Sequence, residues 1–173
     1  MKIADIVPMP EYFDLYINQA ENTSLLRAFD NSLLQLQNLD ISKLKRLEAK
    51  RYEPGKWTVK EIFQHISDTE RIAAAGVLRV ARNDSSYVVS FSKIPLPNAG
   101  NTDSKRIEQL LYEMETVRRA TISLYKSLTQ EDLLKTGINS QYPIDVLGMG
   151  FNIIGHQAHH MKIIEERYYP LLK

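Results

Sequence analysis

Three of the four histidines in this 173-residue chain fall in one short run, Gly155-His156-Gln157-Ala158-His159-His160. On a helix, residues four apart stack on one side about one turn from each other, so the imidazoles of His156 and His160 can reach a single ion. A heptad frame agrees, setting Met149, Ile153, His156, His160, Ile163 and Arg167 along one core-facing seam. The fourth histidine, His65, lies in an inward stripe of a second helix with Ile62, Thr69, Ile72 and Gly76. Two ligands from one helix and one from another form a three-nitrogen set with open positions for water or substrate, as in catalytic rather than structural zinc sites. Imidazole also suits nickel, iron and copper. A divalent metal is expected, with zinc or nickel foremost.

Taken singly, each inward histidine reads as a hydrogen-bonded core residue. Three on two helices, with one other in the whole chain, favour a metal. His159 is one position off the seam and is expected to pack or hydrogen-bond beside the site. Asp68, three residues after His65, could orient an imidazole from outside the ligand set, or could be a surface acid near Arg71. Glu70 shares a different face with Phe63 and Ile66 and reads as structural. Glu165, Glu166 and Arg167 read as a solvated charge cluster, and Trp57 as a packing anchor at the start of the second helix.

Four long amphipathic segments must position these residues. The first runs from after Pro10 to about Asn38, broken near Glu21-Asn22-Thr23, with a stripe of Leu25, Phe29, Leu33 and Leu36. Residues 48–57 contain Pro54-Gly55 and read as a connector. Thr58-Val59-Lys60-Glu61 has the form of a capping box and opens a second helix reaching about Asn83. Residues 84–102, with Pro95, Pro97 and several serines, read as a long loop. A third helix spans about Asp103 to Leu128, with Ile107, Leu110, Leu111, Met114, Val117, Thr121 and Leu124 on one side. A short helix starts at Thr129 and ends at Gly137. Residues 138–144 could be extended, and Asp145 caps a last helix that continues to about Tyr168. The expected fold is all-α, a four-helix bundle with cofactor ligands on inward faces.

The composition sets limits on function. Hydrophobic residues make up 43% and charged residues 25%, as expected of a chain that folds, and the length suits one domain over residues 1–173. The formal net charge of +1 provides no field to gather nucleic acid. No stretch approaches the ~20 apolar residues of a membrane span. Asp5, Pro8, Pro10 and Glu11 interrupt the N-terminal apolar residues, which argues against a signal peptide and for a cytoplasmic protein. With no cysteine, any metal must be held by nitrogen and oxygen, and any reacting thiol must be brought in.

The strings Arg51-Tyr52-Glu53-Pro54-Gly55-Lys56-Trp57-Thr58-Val59-Lys60-Glu61, Gln64-His65-Ile66-Ser67-Asp68-Thr69-Glu70-Arg71 and Ile154-Gly155-His156-Gln157-Ala158-His159-His160 resemble the DinB/YfiT-like superfamily of small four-helix proteins. Glu165-Glu166-Arg167-Tyr168 also fits, and the resemblance extends in order over about residues 12–169. It implies an up-down-down-up bundle, often a homodimer, with a metal held at the positions of His65, His156 and His160. Relatives include thiol S-transferases using bacillithiol, mycothiol or glutathione, a maleylpyruvate isomerase, and proteins described as metal-dependent hydrolases. One departure is that Ser90-Phe91-Ser92-Lys93-Ile94-Pro95-Leu96-Pro97-Asn98 lacks the acidic residues many relatives carry after the corresponding Phe; if that loop shapes the substrate pocket, no relative's substrate transfers to this chain.

The leading expectation is a metal-dependent enzyme acting on a small molecule, with transfer of a low-molecular-weight thiol ranked slightly above hydrolysis. Hydrolysis would call for a carboxylate base, and Asp68 is the one weak candidate. A non-catalytic bundle that binds a metal or small ligand is the alternative, since no general base or polar substrate clamp is evident near the histidines.

Overall fold

The computed structural model describes residues 1–84, 88–89, 101–139 and 141–173. The loop expected over 84–102 falls mostly outside these residues, including the stretch 90–98. The first expected helix is two: α1, Asp14–Ile17, and α2, Leu25–Gln37, separated at the expected break. Leu25, Phe29, Leu33 and Leu36 are all buried along α2. A further helix beyond the four long segments follows, α3 at Ile41–Leu47. Asp40 caps it by accepting from the Lys43 amide at 3.1 Å, and Leu44 and Leu47 are fully buried.

Helix α4 spans Val59–Ala81, with both halves of the Thr58/Glu61 capping box formed. Strand β1 is Val88–Val89. Helix α5, Ile107–Lys126, starts later than the expected Asp103 because Thr102–Ser104 forms a separate 3-10 turn and Lys105 is extended. Helix α6, Gln130–Leu134, gives way to strands β2, Thr136–Asn139, and β3, Tyr142–Asp145. Gly137 does not end α6, since the chain is already extended at Lys135. Gly137 instead pairs with Ile144 in β2, where an added Cβ would come within 2.4 Å of the Val80 Cγ2. The strands form a small sheet in which β1 pairs parallel and β3 antiparallel to β2. Asp145 then caps α7, Val146–Ile163, accepting from the Gly148 amide at 2.6 Å. A π turn at Ile164–Tyr168 extends it.

Cross-helix contacts establish the topology. Phe29 meets Tyr125 and Gln37 meets Glu115, so α2 and α5 run antiparallel. Gln64 pairs with Glu113 and Glu70 with Arg118, so α4 and α5 run parallel. Leu25 lies at Gly150 and Ser32 at Gln157, making α2 and α7 parallel. His65 approaches His160 and Thr69 approaches His156, making α4 and α7 antiparallel. Taken in order, α2, α4, α5 and α7 form an up-down-down-up bundle. The parallel α4 and α5 require the long connection between them.

The core consists of two apolar clusters. One gathers Phe29, Val80, Ile122, Tyr125 and Phe151, and the other Leu36, Phe63, Leu110, Met114 and Tyr168. Between them every long helix contributes buried polar groups: Ser32 from α2, Glu70 from α4, Arg118 from α5, and Gln157 and His160 from α7. No helix of the described residues is long and apolar enough to cross a membrane.

Candidate metal centre

Within this polar layer the structure brings His65, His156 and His160 together, with one candidate ligand atom from each lying within 4.8 Å of the others. Nε2 of His156 is 3.1 Å from Nε2 of both His65 and His160. A ring nitrogen offers one N–H or one lone pair, so His156 cannot form two good in-plane hydrogen bonds there. Nitrogens bound tetrahedrally to zinc at ~2.0–2.1 Å stand roughly 3.3 Å apart. The observed spacing therefore fits a shared cation better than mutual hydrogen bonding among imidazoles.

Burial keeps the three rings neutral and their lone pairs available. It lowers the pKa of His65 to about 4. Burial, with smaller contributions from neighbouring His65, His159 and Arg118, lowers that of His156 to about 3. His160, only 7% exposed, falls to about 2 through burial and the nearby histidines.

Thr69 supports the cluster. Its hydroxyl donates to the His65 carbonyl at 2.7 Å, which leaves the oxygen free to accept from Nδ1–H of His156 at 3.5 Å. That tautomer puts the His156 lone pair on Nε2, toward the other rings. The sequence offers Asp68 for this supporting role. It instead accepts from Gln64 at 2.9 Å and from Arg71 at 3.3 Å, and none of its described partners is an imidazole. Thr69 carries no charge and sits on the predicted stripe, so its spacing read as core packing.

Two aromatic residues wall the site. Trp57 lies 4.7 Å from His65 and 6.1 Å from His160 between ring centroids, nearly stacked on the latter. It anchors the start of α4 and also covers two of the three imidazoles. The connector is pinned around it, because Arg51 grips Glu61 through two hydrogen bonds of 2.7 and 3.0 Å and Tyr168 donates to the Trp57 carbonyl. Tyr16 of α1 stands edge-on to both His156 and His159, each at 5.3 Å. Sequence reasoning missed Tyr16, since a four-residue helix has too few residues to show a period.

His159 remains beside the cluster, with Nδ1 3.4 Å from the Gln19 Nε2, which also donates to Leu15. Gly155 explains why α1 can lie here. An added Cβ would sit 1.7 Å from the Tyr16 carbonyl oxygen, so the backbones of α1 and α7 touch at this residue. Gly155→Ala must push α1 away, with an expected loss of about 1–3 kcal/mol of stability. Urea unfolding checks this, and an unchanged midpoint would show that α1 shifts without cost.

The arrangement defines a helical bundle with a three-nitrogen centre suited to a divalent cation. The DinB superfamily model matches residues 16–164, and the chain belongs to that superfamily. Among solved structures, YfiT from Bacillus subtilis superposes with a TM-score of 0.64 at 15% identity, covering 93% of this chain and 88% of YfiT. YfiT is described as a probable metal-dependent hydrolase with an unusual four-helix bundle topology. No curated protein matches the sequence.

Proposed function

We propose that this protein is a metal-dependent enzyme acting on a small molecule, with His65, His156 and His160 holding a divalent cation. The observation that supports this is the convergence of the three Nε2 atoms at spacings a single ion fits. Held by the neutral imidazoles of His65, His156 and His160, a divalent cation would keep its double charge and would lower the pKa of a thiol or water beside it, the chemistry a nucleophile at neutral pH calls for. The Thr69 oxygen beside Nδ1 of His156 favours the tautomer with its lone pair on Nε2. Trp57 and Tyr16 cover two flanks of the cluster, and lowering the local dielectric in this way strengthens electrostatic interactions within.

We favour transfer of a low-molecular-weight thiol. The thiol releases its proton to solvent, its sulfur bonds to an electrophilic carbon, and a leaving group departs with the electron pair of the broken bond. No carboxylate joins the three histidines among the described residues, and Asp68 is turned to Gln64 and Arg71. Thiol transfer needs no such base, whereas hydrolysis gains from one. Hydrolysis is the second reading, supported by the description of YfiT.

The test is conjugation of a chlorinated aromatic electrophile with glutathione, bacillithiol or mycothiol, using untagged protein loaded with zinc or nickel. A metal-dependent rate above the uncatalysed background is expected with one of these thiols. No rate with any of them, alongside metal-dependent cleavage of an activated ester, would transfer the assignment to hydrolysis.

A further inference from the structure

His65 and His156 belong to different helices, so their meeting depends on how α4 and α7 are rotated about their own axes. A rotation of about 15° moves a side-chain tip roughly 1.5 Å at its ~6 Å radius. Metal–ligand distances tolerate only about 0.2 Å. Apolar packing is non-directional and does not by itself fix a helix's rotation to that tolerance, so a stiffer constraint is needed.

Both helices carry a buried polar hook beside a site residue. Glu70 follows Thr69 on α4, and Gln157 follows His156 on α7. The Glu70 carboxylate accepts two hydrogen bonds from Arg118 of α5, at 2.8 and 2.9 Å. This fork geometry fixes direction as well as distance. Arg118 also donates to the Ser32 hydroxyl of α2, whose own proton goes to the Phe29 carbonyl at 2.7 Å. Gln157 donates to the Ser32 carbonyl at 2.9 Å and to Gln35 at 3.1 Å. Arg118 is 0%, Gln157 1%, Glu70 5% and Ser32 7% exposed, so water does not loosen these bonds.

We infer that the Glu70, Arg118, Ser32 and Gln157 layer is the positioning element of the histidine cluster, setting the rotation of α4 and α7 so that His65 meets His156 and His160. The inference rests on reading that cluster as a metal centre. Ser32 and Arg118 form the common anchor, which makes α2 and α5 part of the site although neither supplies a ligand.

Cobalt(II) binding separates this role from a merely structural one. The variants are Glu70→Leu/Arg118→Met, which replaces the pair by apolar side chains, and Gln157→Met, which unhooks α7 alone. Residues hydrogen-bonded directly to a metal's ligands typically account for about 10–100-fold in affinity, and this layer acts on the same ligands through the helices that carry them. Each variant, folded by circular dichroism, is expected to bind cobalt at least about tenfold more weakly than the wild type, with an altered d–d absorption spectrum. If the double variant does not fold, Gln157→Met decides alone. Wild-type protein that takes up no cobalt overturns the metal reading itself. Wild-type protein that binds, with folded variants matching its affinity within about twofold and superimposable spectra, overturns only the positioning role.

Discussion

Replacing His156 with alanine is expected to abolish uptake of zinc or nickel while leaving the helical circular dichroism essentially unchanged. His156 is the vertex of the cluster, the ring whose Nε2 lies 3.1 Å from both other Nε2 atoms. Its loss leaves two nitrogens on separate helices, and the fall in affinity should exceed the ~10–100-fold that loss of a supporting residue costs. The fold should survive, because α7 on either side of His156 is held by Ile153, Ile154 and Met161, all buried. The single tryptophan of the chain provides a direct readout, since Trp57 packs on His65 and His160. Titration calorimetry with Trp57 fluorescence checks the prediction. Unchanged affinity would place the ion elsewhere.

Arg118→Met alone is expected to destabilise the protein by about 3–5 kcal/mol, the penalty for stranding a buried charge. Glu70 is 5% exposed and would lose both hydrogen bonds to its fork partner. Adding Glu70→Leu should recover most of that loss, because replacing both partners of a buried ion pair by apolar groups is often neutral. Denaturant unfolding of the single and double variants measures the difference. Equal stabilities would mean that solvent reaches Glu70 once Arg118 is gone.

The bundle was legible because its four helices bury wide apolar stripes, with Thr58 and Asp145 marking two of the starts. The histidines were legible because they interrupt those stripes, and the 3.6-residue period puts His156 and His160 on one side. Less readable was what depends on distant contacts. Glu70 read as structural from its face with Phe63 and Ile66, but its partner Arg118 was not identified, and only their pairing across α4 and α5 makes the burial of both charges tolerable. A signal was present, since Arg118 continues the spacing of Leu111 and Met114 on α5, both buried. Tyr16 had none, because its place is set by the close approach at Gly155 rather than by any period of α1. Helix α3 had a modest one in the Asp40 cap and the Leu44–Leu47 spacing. Substrate choice was not legible, since no motif in the sequence marks a substrate clamp beside the histidines, and residues 90–98 lie outside the described residues.

Metal content of the untagged protein, measured by plasma mass spectrometry before and after exposure to zinc or nickel, tests the central claim most directly. The account predicts about one equivalent of divalent metal per chain, removed by chelation and restored on reloading. Less than about a tenth of an equivalent, with no uptake of either ion, would contradict it.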